Sequence, residues 1–304
     1  MKIKKMRLFS IITAFLVFAM SPLETVHAGT GSAVLPLKDN DLYALSACLM
    51  DADSGRVLYG KNVDEVRAMA STTKIMTLII ALEYGNAEDT VTISPYAASM
   101  PDVQLNVRAG EQYRLGDLCY AMMLESYNDI AAAIAEHIGM AYADIDINDT
   151  EKRSIDDSRK CVSAFAGLMN DKARELGCEN TYFITPNGLD AEDENGKHST
   201  TARELALIAA YAVKKDDFNV ITGTKQYSFC EINGKRNCNV YNKDAFLNQM
   251  SGAFGIKTGF TGNAGYCFVG ALKSDGRTFI SVVLGSGWPS ARTYKWKDTR
   301  KLME

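Results

Sequence analysis

Ser71 and Lys74 stand three residues apart at the head of an apolar run that includes Ile75, Leu78, Ile79 and Leu82. On a helix this spacing puts both side chains on one face, one turn apart. A hydroxyl is a weak nucleophile until a neighbouring base takes its proton, and a lysine can be that base only as a neutral amine. Its ordinary pKa of about 10.4 must then fall by about three pH units, or ~4 kcal/mol, to work near neutrality. Burial and a second cation both push that way. Two later clusters offer the rest of an acyl-transfer site. Ser126 and Asn128 flank one residue. If Tyr127 turns away, the serine can relay a proton to a leaving group and the asparagine can hold the lysine and a substrate amide. Lys257, Thr258 and Gly259 begin an expected strand. The first two can grip a carboxylate, Lys257 also being the second cation, and the glycine lets a backbone approach closely. Each stretch alone is common. All three in this order, one heading a buried helix and one heading a strand, are a specific signal.

Periodicity and turn residues outline the elements that must position these groups. Leu45 to Tyr59 reads as a hairpin about Ser54-Gly55. A central, buried helix is expected from Ser71 to Tyr84, stopped by Gly85-Asn86. Two more, Leu115 to Leu124 and Asp129 to Ile138, leave Ser126 and Asn128 on the connection between them. Cys161 to Leu176, ended by Gly177, and Thr201 to Lys214, capped by Thr200 or Thr201, follow. Strands are expected over Gln226 to Glu231, Gly265 to Leu272 and Thr278 to Leu284, with a closing helix from Arg292 to Met303. Strands at both ends and helices between them predict an α+β fold: a mixed antiparallel sheet built from both chain ends and covered by helices, plus an all-helical region.

The chain of 304 residues suits one large domain or two modest ones, and its 47% apolar content suits a globular core. Residues 1–28 differ from the rest. Lys2, Lys4, Lys5 and Arg7 precede the apolar run Leu8 to Met20, and Val26-His27-Ala28 offers the small residues a signal peptidase reads. A secretory signal cleaved after Ala28, a leader over 29–40 and a domain over 41–304 are therefore expected, with an extracytoplasmic location. The signal carries four basic residues and Glu24, a net +3, so the formal charge of −4 becomes −7 once it is removed. Such a chain has no electrostatic reason to bind nucleic acid. Export gives the seven cysteines interest. Cys230 and Cys238 flank Asn233-Gly234 and are the best candidates for a bridge, in register only with a three-residue loop. The acidic stretch Ala141 to Lys160 reads as a solvated insertion. Asp144, Asp146 and Asn148 resemble the start of a calcium loop, but Asp149 falls where glycine is needed and Ile155 where glutamate is needed. His27, His137 and His198 have no ligand spacing, and His198 reads as structural. No metal site or cofactor is implied.

The three motifs together are those of penicillin-binding proteins and class A β-lactamases. From about Leu45 onward the chain more closely resembles the low-molecular-weight D-alanyl-D-alanine carboxypeptidases, the S11 serine peptidases that trim peptidoglycan stem peptides. The resemblance rests on Ala70-Ser71-Thr72-Thr73-Lys74-Ile75-Met76-Thr77, Asn128-Asp129, Met169-Asn170-Asp171-Lys172-Ala173, Pro186-Asn187-Gly188-Leu189, His198-Ser199-Thr200 and Gly255-Ile256-Lys257-Thr258-Gly259-Phe260-Thr261. It implies a β-lactamase/transpeptidase-like fold and a stem peptide ending in D-Ala-D-Ala as substrate. Ser71 would be acylated with Lys74 as base. Ser126 and Asn128 would relay the proton and position the groups. Lys257 and Thr258 would bind the terminal carboxylate. The N–H groups of Ser71 and of Phe260, next after Gly259, would form an oxyanion hole. β-Lactam antibiotics would be slow-leaving covalent inhibitors. Lys295, or else Arg292, would be a further carboxylate ligand. Tyr127 departs from the small residue usual in the second motif. Relatives often add a C-terminal domain and an amphipathic anchor; with Glu304 about where a catalytic domain should end, no C-terminal membrane anchor is expected. Two other readings remain: a serine β-lactamase, for which Glu192 and Glu194 lack a matching context, and a silent penicillin- or peptidoglycan-binding sensor, against which the intact residue set argues.

Overall fold

The computed structural model describes residues 37–145 and 153–304. The expected signal, most of the leader and the middle of the acidic stretch lie outside these residues. A five-stranded antiparallel sheet joins the two ends of the described chain. Strands β1 (Ser46–Asp51) and β2 (Val57–Lys61) come early; β9 (Ala253–Thr261), β10 (Gly265–Ser274) and β11 (Arg277–Leu284) come late. Their order is β2-β1-β11-β10-β9, so β1 pairs with β11 and β9 is an edge. The turn after β1 forms because Asp51 Oδ1 accepts from the N–H groups of Asp53 and Ser54, while Gly55 takes a φ of +70°. The first eight residues of β10 are all buried. Such a strand, covered on both faces, reads as a continuous apolar run rather than an alternation. On one face α8 (Tyr294–Met303) packs Leu302 with Phe246, Phe268 and Val283. The other face joins the larger core, to which α1 (Lys74–Tyr84) and α6 (Ala202–Ala212) contribute.

The helical region contains α1, α3 (Leu115–Glu125), α4 (Asn128–Gly139), α5 (Ile155–Glu175) and α7 (Asp216–Gly223), with a single turn, α2, at Pro95–Ala98. Three short strand pairs sit outside the main sheet: β3 (Thr90–Thr92) with β4 (Gln112–Arg114), β5 (Glu192–Asp193) with β6 (Gly196–Lys197), and β7 (Gln226–Cys230) with β8 (Asn237–Tyr241). Helix α1 is the central one. Ile75, Leu78, Ile79 and Ile80 on it are inaccessible to solvent, and each such side chain contributes roughly 1.5–3 kcal/mol. Thr201 caps α6, its hydroxyl accepting from Glu204 N–H at 3.1 Å.

Four local expectations need correction. Helix α5 starts at Ile155, not Cys161, because Ser154 Oγ accepts from Asp157 N–H at 3.1 Å. Asp156 and Asp157 occupy its first turn, where carboxylates favour a helix. The end of the acidic stretch is thus a capped helix rather than solvated loop, and Arg153 just before it is buried against Glu136 at 3.4 Å. Strand β9 starts at Ala253, so Lys257 lies in its middle. Ser71 lies in a 3-10 turn, Ala70–Thr73, that leads into α1. Finally, Cys230 faces Asn237 and Cys238 faces Phe229 across β7–β8. The two cysteines are one out of register, one exposed and one buried, and all seven cysteines are free thiols.

Candidate active site

The 3-10 turn and α1 put Lys74 Nζ 3.0 Å from Ser71 Oγ. Lys74 is wholly buried, and its Nζ also lies 2.8 Å from Asn128 Oδ1 and 2.6 Å from the Asn187 carbonyl. The asparagine amide is oriented by its other end, since Nδ2 donates to the carbonyls of Pro101 and Asp102. Its oxygen therefore faces the lysine. Both Asn128 Oδ1 and a backbone carbonyl can only accept. A neutral amine has two N–H bonds and one lone pair. With the amine neutral, the two acceptors take its N–H bonds and its lone pair faces the Ser71 hydroxyl at 3.0 Å, nearer than the Asn187 carbonyl, which lies 3.3 Å from the same hydroxyl. Burial, and next the positive charge of Lys257, hold Lys74 well below the usual lysine range; Asp129 opposes them.

Backbone packing fixes Ser71 as closely as hydrogen bonds fix Lys74. Ala70 adopts a φ of +49°, a left-handed conformation rare for a residue with a side chain. Gly188 lies against it so tightly that a Cβ there would sit 2.0 Å from the Ala70 oxygen and 2.8 Å from the Ser71 nitrogen. From the β9 side, a Cβ on Gly259 would meet the Ser71 nitrogen at 2.9 Å. Two glycines thus bracket the peptide N–H of Ser71. The loop carrying Gly188 is tied to α1 by Thr77, whose hydroxyl donates to the Pro186 carbonyl at 2.6 Å.

Ser126 is the C-cap of α3, with a φ of +70°, and Asn128 begins α4. Among the described residues no hydrogen bond ties Ser126 to Ser71 or Lys74, although Asn128, two residues on, contacts Lys74. Tyr127 packs against the main core. On β9, Lys257 is buried and donates to the Thr258 carbonyl at 3.1 Å, while Thr258 is half-buried. Burial, and next the charge of Lys295, lower the Lys257 pKa to about 7. Lys295 itself is lowered to about 8, chiefly by burial, and its ammonium lies 4.9 Å from the Tyr266 and Trp296 ring centres. Phe260, its ring tilted 38° against Tyr266 with centres 4.6 Å apart, is 41% exposed. Arg292 is exposed. Glu192 and Glu194 lie exposed on and beside the β5–β6 pair.

Sequence reasoning did not assign Asn187 a role. Its contribution is a main-chain oxygen, which leaves no side-chain signature beyond the turn-forming Pro186-Asn187-Gly188. It also missed Asp244, which caps a 3-10 turn through Phe246 N–H. Burial raises that carboxyl to about 7, and the charges of Lys257 and Lys295 oppose the rise. No group of residues able to hold a metal ion occurs among the described residues.

The same architecture is found in solved structures. The Streptomyces K15 DD-transpeptidase superposes with a TM-score of 0.74 at 30% identity, over 86% of this chain and 96% of that one. Penicillin-binding protein D2 of Listeria monocytogenes, in a cefotaxime-bound form, gives 0.69 at 25% identity over 88% of this chain and 97% of that one. Among curated sequences, the D-alanyl-D-alanine carboxypeptidase of Streptomyces sp. K15 is 32% identical over 86% of each chain. Carboxypeptidase DacF of Bacillus subtilis is 32% identical over 82% of this chain and 59% of its own length. The profile of peptidase S11, D-alanyl-D-alanine carboxypeptidase, matches residues 33–144 and 160–287. The chain belongs to this family of serine peptidases. The unmatched segment between the two blocks falls within the acidic stretch and the first turn of α5.

Proposed function

We propose that the protein is a serine D-Ala-D-Ala carboxypeptidase working outside the cytoplasmic membrane, with residues 1–28 as its export signal and the domain from residue 41 as its catalytic unit. The observation that carries this reading is the three-way contact at Lys74 Nζ, which leaves the amine lone pair for the Ser71 hydroxyl. Lys74 takes the hydroxyl proton as Ser71 Oγ bonds to the carbonyl carbon of the penultimate D-alanine. The oxyanion is held by the N–H groups of Ser71 and Phe260, each such donor being worth about 3–4 kcal/mol. Ser126 hands its proton to the departing amine and takes in exchange the one that Lys74 received, so that Lys74 is neutral again, with Asn128 positioning the lysine and the substrate amide. The C–N bond breaks and D-alanine leaves. Lys257 and Thr258 grip its carboxylate, and Gly259 provides the close approach of β9. Water then cleaves the ester and restores Ser71. A β-lactam follows the same first step, but its leaving group stays tethered.

The test is to incubate the protein with a peptide ending in D-Ala-D-Ala and with labelled penicillin, beside Ser71→Ala. D-alanine release and a long-lived penicillin adduct, both lost in the variant, are expected. Fast penicillin turnover without D-alanine release would instead identify a β-lactamase. Binding without a covalent adduct would identify a sensor.

A further inference from the structure

We propose that His198 is a positioning residue that holds the nucleophile and its base in register, the inference resting on the acyl-transfer reading above. The imidazole is buried between two segments that meet at the active site. Its Nδ1 accepts from the N–H groups of Ile184 and Thr185, at 2.9 and 3.4 Å. A nitrogen that accepts carries no proton, so in the neutral ring the proton is on Nε2. Nε2 lies 2.8 Å from Thr73 Oγ1 and donates to it. The Thr73 hydroxyl in turn donates to the Ala70 carbonyl at 2.8 Å. The chain of donors is therefore directional, from Nε2–H through a hydroxyl to one carbonyl.

That carbonyl belongs to the left-handed Ala70, whose peptide link carries the Ser71 N–H. An αL conformation for a residue with a Cβ persists only where its surroundings enforce it. Gly188 presses on the Ala70 oxygen from one side, and the His198–Thr73 chain holds it from another. The opposite edge of the same imidazole pins residues 184 and 185, which lead directly into the Asn187 carbonyl that receives a Lys74 N–H. One ring thus spans both supports. Its Nε2 side fixes where the Ser71 N–H points, and its Nδ1 side fixes the acceptor that turns the Lys74 lone pair toward Ser71. His198 hydrogen-bonds to Thr73, Ile184 and Thr185 and to neither Ser71 nor Lys74.

The test compares Thr73→Val, Thr73→Ser, His198→Ala and the double variant Thr73→Val/His198→Ala. The readouts are the penicillin acylation rate and kcat and KM for a D-Ala-D-Ala peptide, taken below each variant's melting temperature. Thr73→Val is expected to slow acylation and kcat by roughly tenfold to a hundredfold, the scale of a small misplacement of reacting groups, with KM changed less than about twofold. Thr73→Ser restores the hydroxyl and should recover most of the loss. The double variant should be little worse than His198→Ala alone, as expected for residues in one chain. Wild-type acylation in Thr73→Val, a change confined to KM, or fully multiplicative losses would overturn the proposal. If His198→Ala does not fold, the valine–serine contrast at Thr73 decides alone. A wild-type protein that neither forms the penicillin adduct nor releases D-alanine overturns this inference together with the proposed function, whereas a wild-type adduct with unaffected Thr73→Val overturns the inference only.

Discussion

The carbonyl oxygen of Asn187 lies 2.6 Å from Lys74 Nζ, although 113 residues separate them in sequence. This contact makes the lysine's hydrogen-bonding directional. A protonated lysine would place its third N–H on Ser71 Oγ, and the hydroxyl proton would turn to the Asn187 carbonyl, 3.3 Å away, which is no base. The neutral amine donates to Asn128 and Asn187 and accepts from Ser71.

Lys74→Arg should therefore remove acylation. Arginine keeps the reach but stays protonated at all ordinary pH values, so it offers no lone pair. A loss of roughly 10²–10⁴-fold, the usual contribution of a general base, is expected in the rate of labelled-penicillin incorporation. A rate within about tenfold of wild type would show that Lys74 is not the base.

Gly188→Ala and Gly177→Ala form a controlled pair. Both glycines have positive φ, +86° and +76°, but only Gly188 abuts another backbone; nothing lies within 4 Å of a Cβ at Gly177. Gly177→Ala should cost about 1 kcal/mol in thermal or urea unfolding, the strain of the left-handed region alone. Gly188→Ala adds the overlap with Ala70 and should exceed about 3 kcal/mol and abolish the penicillin adduct. Equal costs would mean that the close approach behind Ser71 can relax.

The pH dependence follows from Lys257 at about 7. Its grip on a carboxylate needs the ammonium form, so KM for the peptide should rise as pH climbs through about 7 and beyond. Lys295→Gln removes a repelling charge, raises the Lys257 pKa and should move that limb to higher pH. Asp244→Asn removes an attraction and should move it lower. Stability runs the other way. Between about 7 and the unfolded lysine value of about 10.4, the unfolded chain binds the proton that folded Lys257 has released. Folding stability should thus gain a contribution from this residue as pH rises through that window. Steady-state kinetics and unfolding at stepped pH would check both signs; shifts in the same direction for the two variants would contradict the assignment.

Cys230→Ala should leave the melting temperature unchanged within about 1 °C, with or without reductant. A bridge to Cys238 would have contributed about 2–4 kcal/mol, several degrees for a domain of this size. The exposed thiol, whose Sγ lies 2.7 Å from Asn237 Oδ1, should label with a maleimide in the folded protein, while buried Cys238 resists.

Legibility in the sequence divided along physical lines. Ser71 and Lys74 lie together because they are one turn apart, whereas Asn128 reaches them only through the packing of α4 against α1. The two-ended sheet was legible because β10 and β11 are long apolar runs bounded by Gly265 and by Asp275-Gly276. Asn187 was not, since any residue offers the same carbonyl. The start of α5 was misread because Asp156 and Asp157 serve a helix end in a stretch that is otherwise acidic. The four residues of β9 before Lys257 were missed because a register shift opposite Ala271 and Leu272 breaks their pairing pattern.

Lys74 is the first residue of α1 and Asn128 the first of α4, and their side chains touch at 2.8 Å. Two helix N-termini therefore converge on one point, each carrying about half a positive elementary charge from its aligned peptide dipoles. The chain as a whole is acidic, with a formal charge of −4. The two helix ends nevertheless add positive potential at this point that does not depend on any lysine being protonated, with Asp129 in the first turn of α4 opposing it. That potential discourages a proton on Lys74 and welcomes negative charge as it develops on a substrate oxygen. Backbone direction thus supplies a constant field where side-chain titration would supply a variable one.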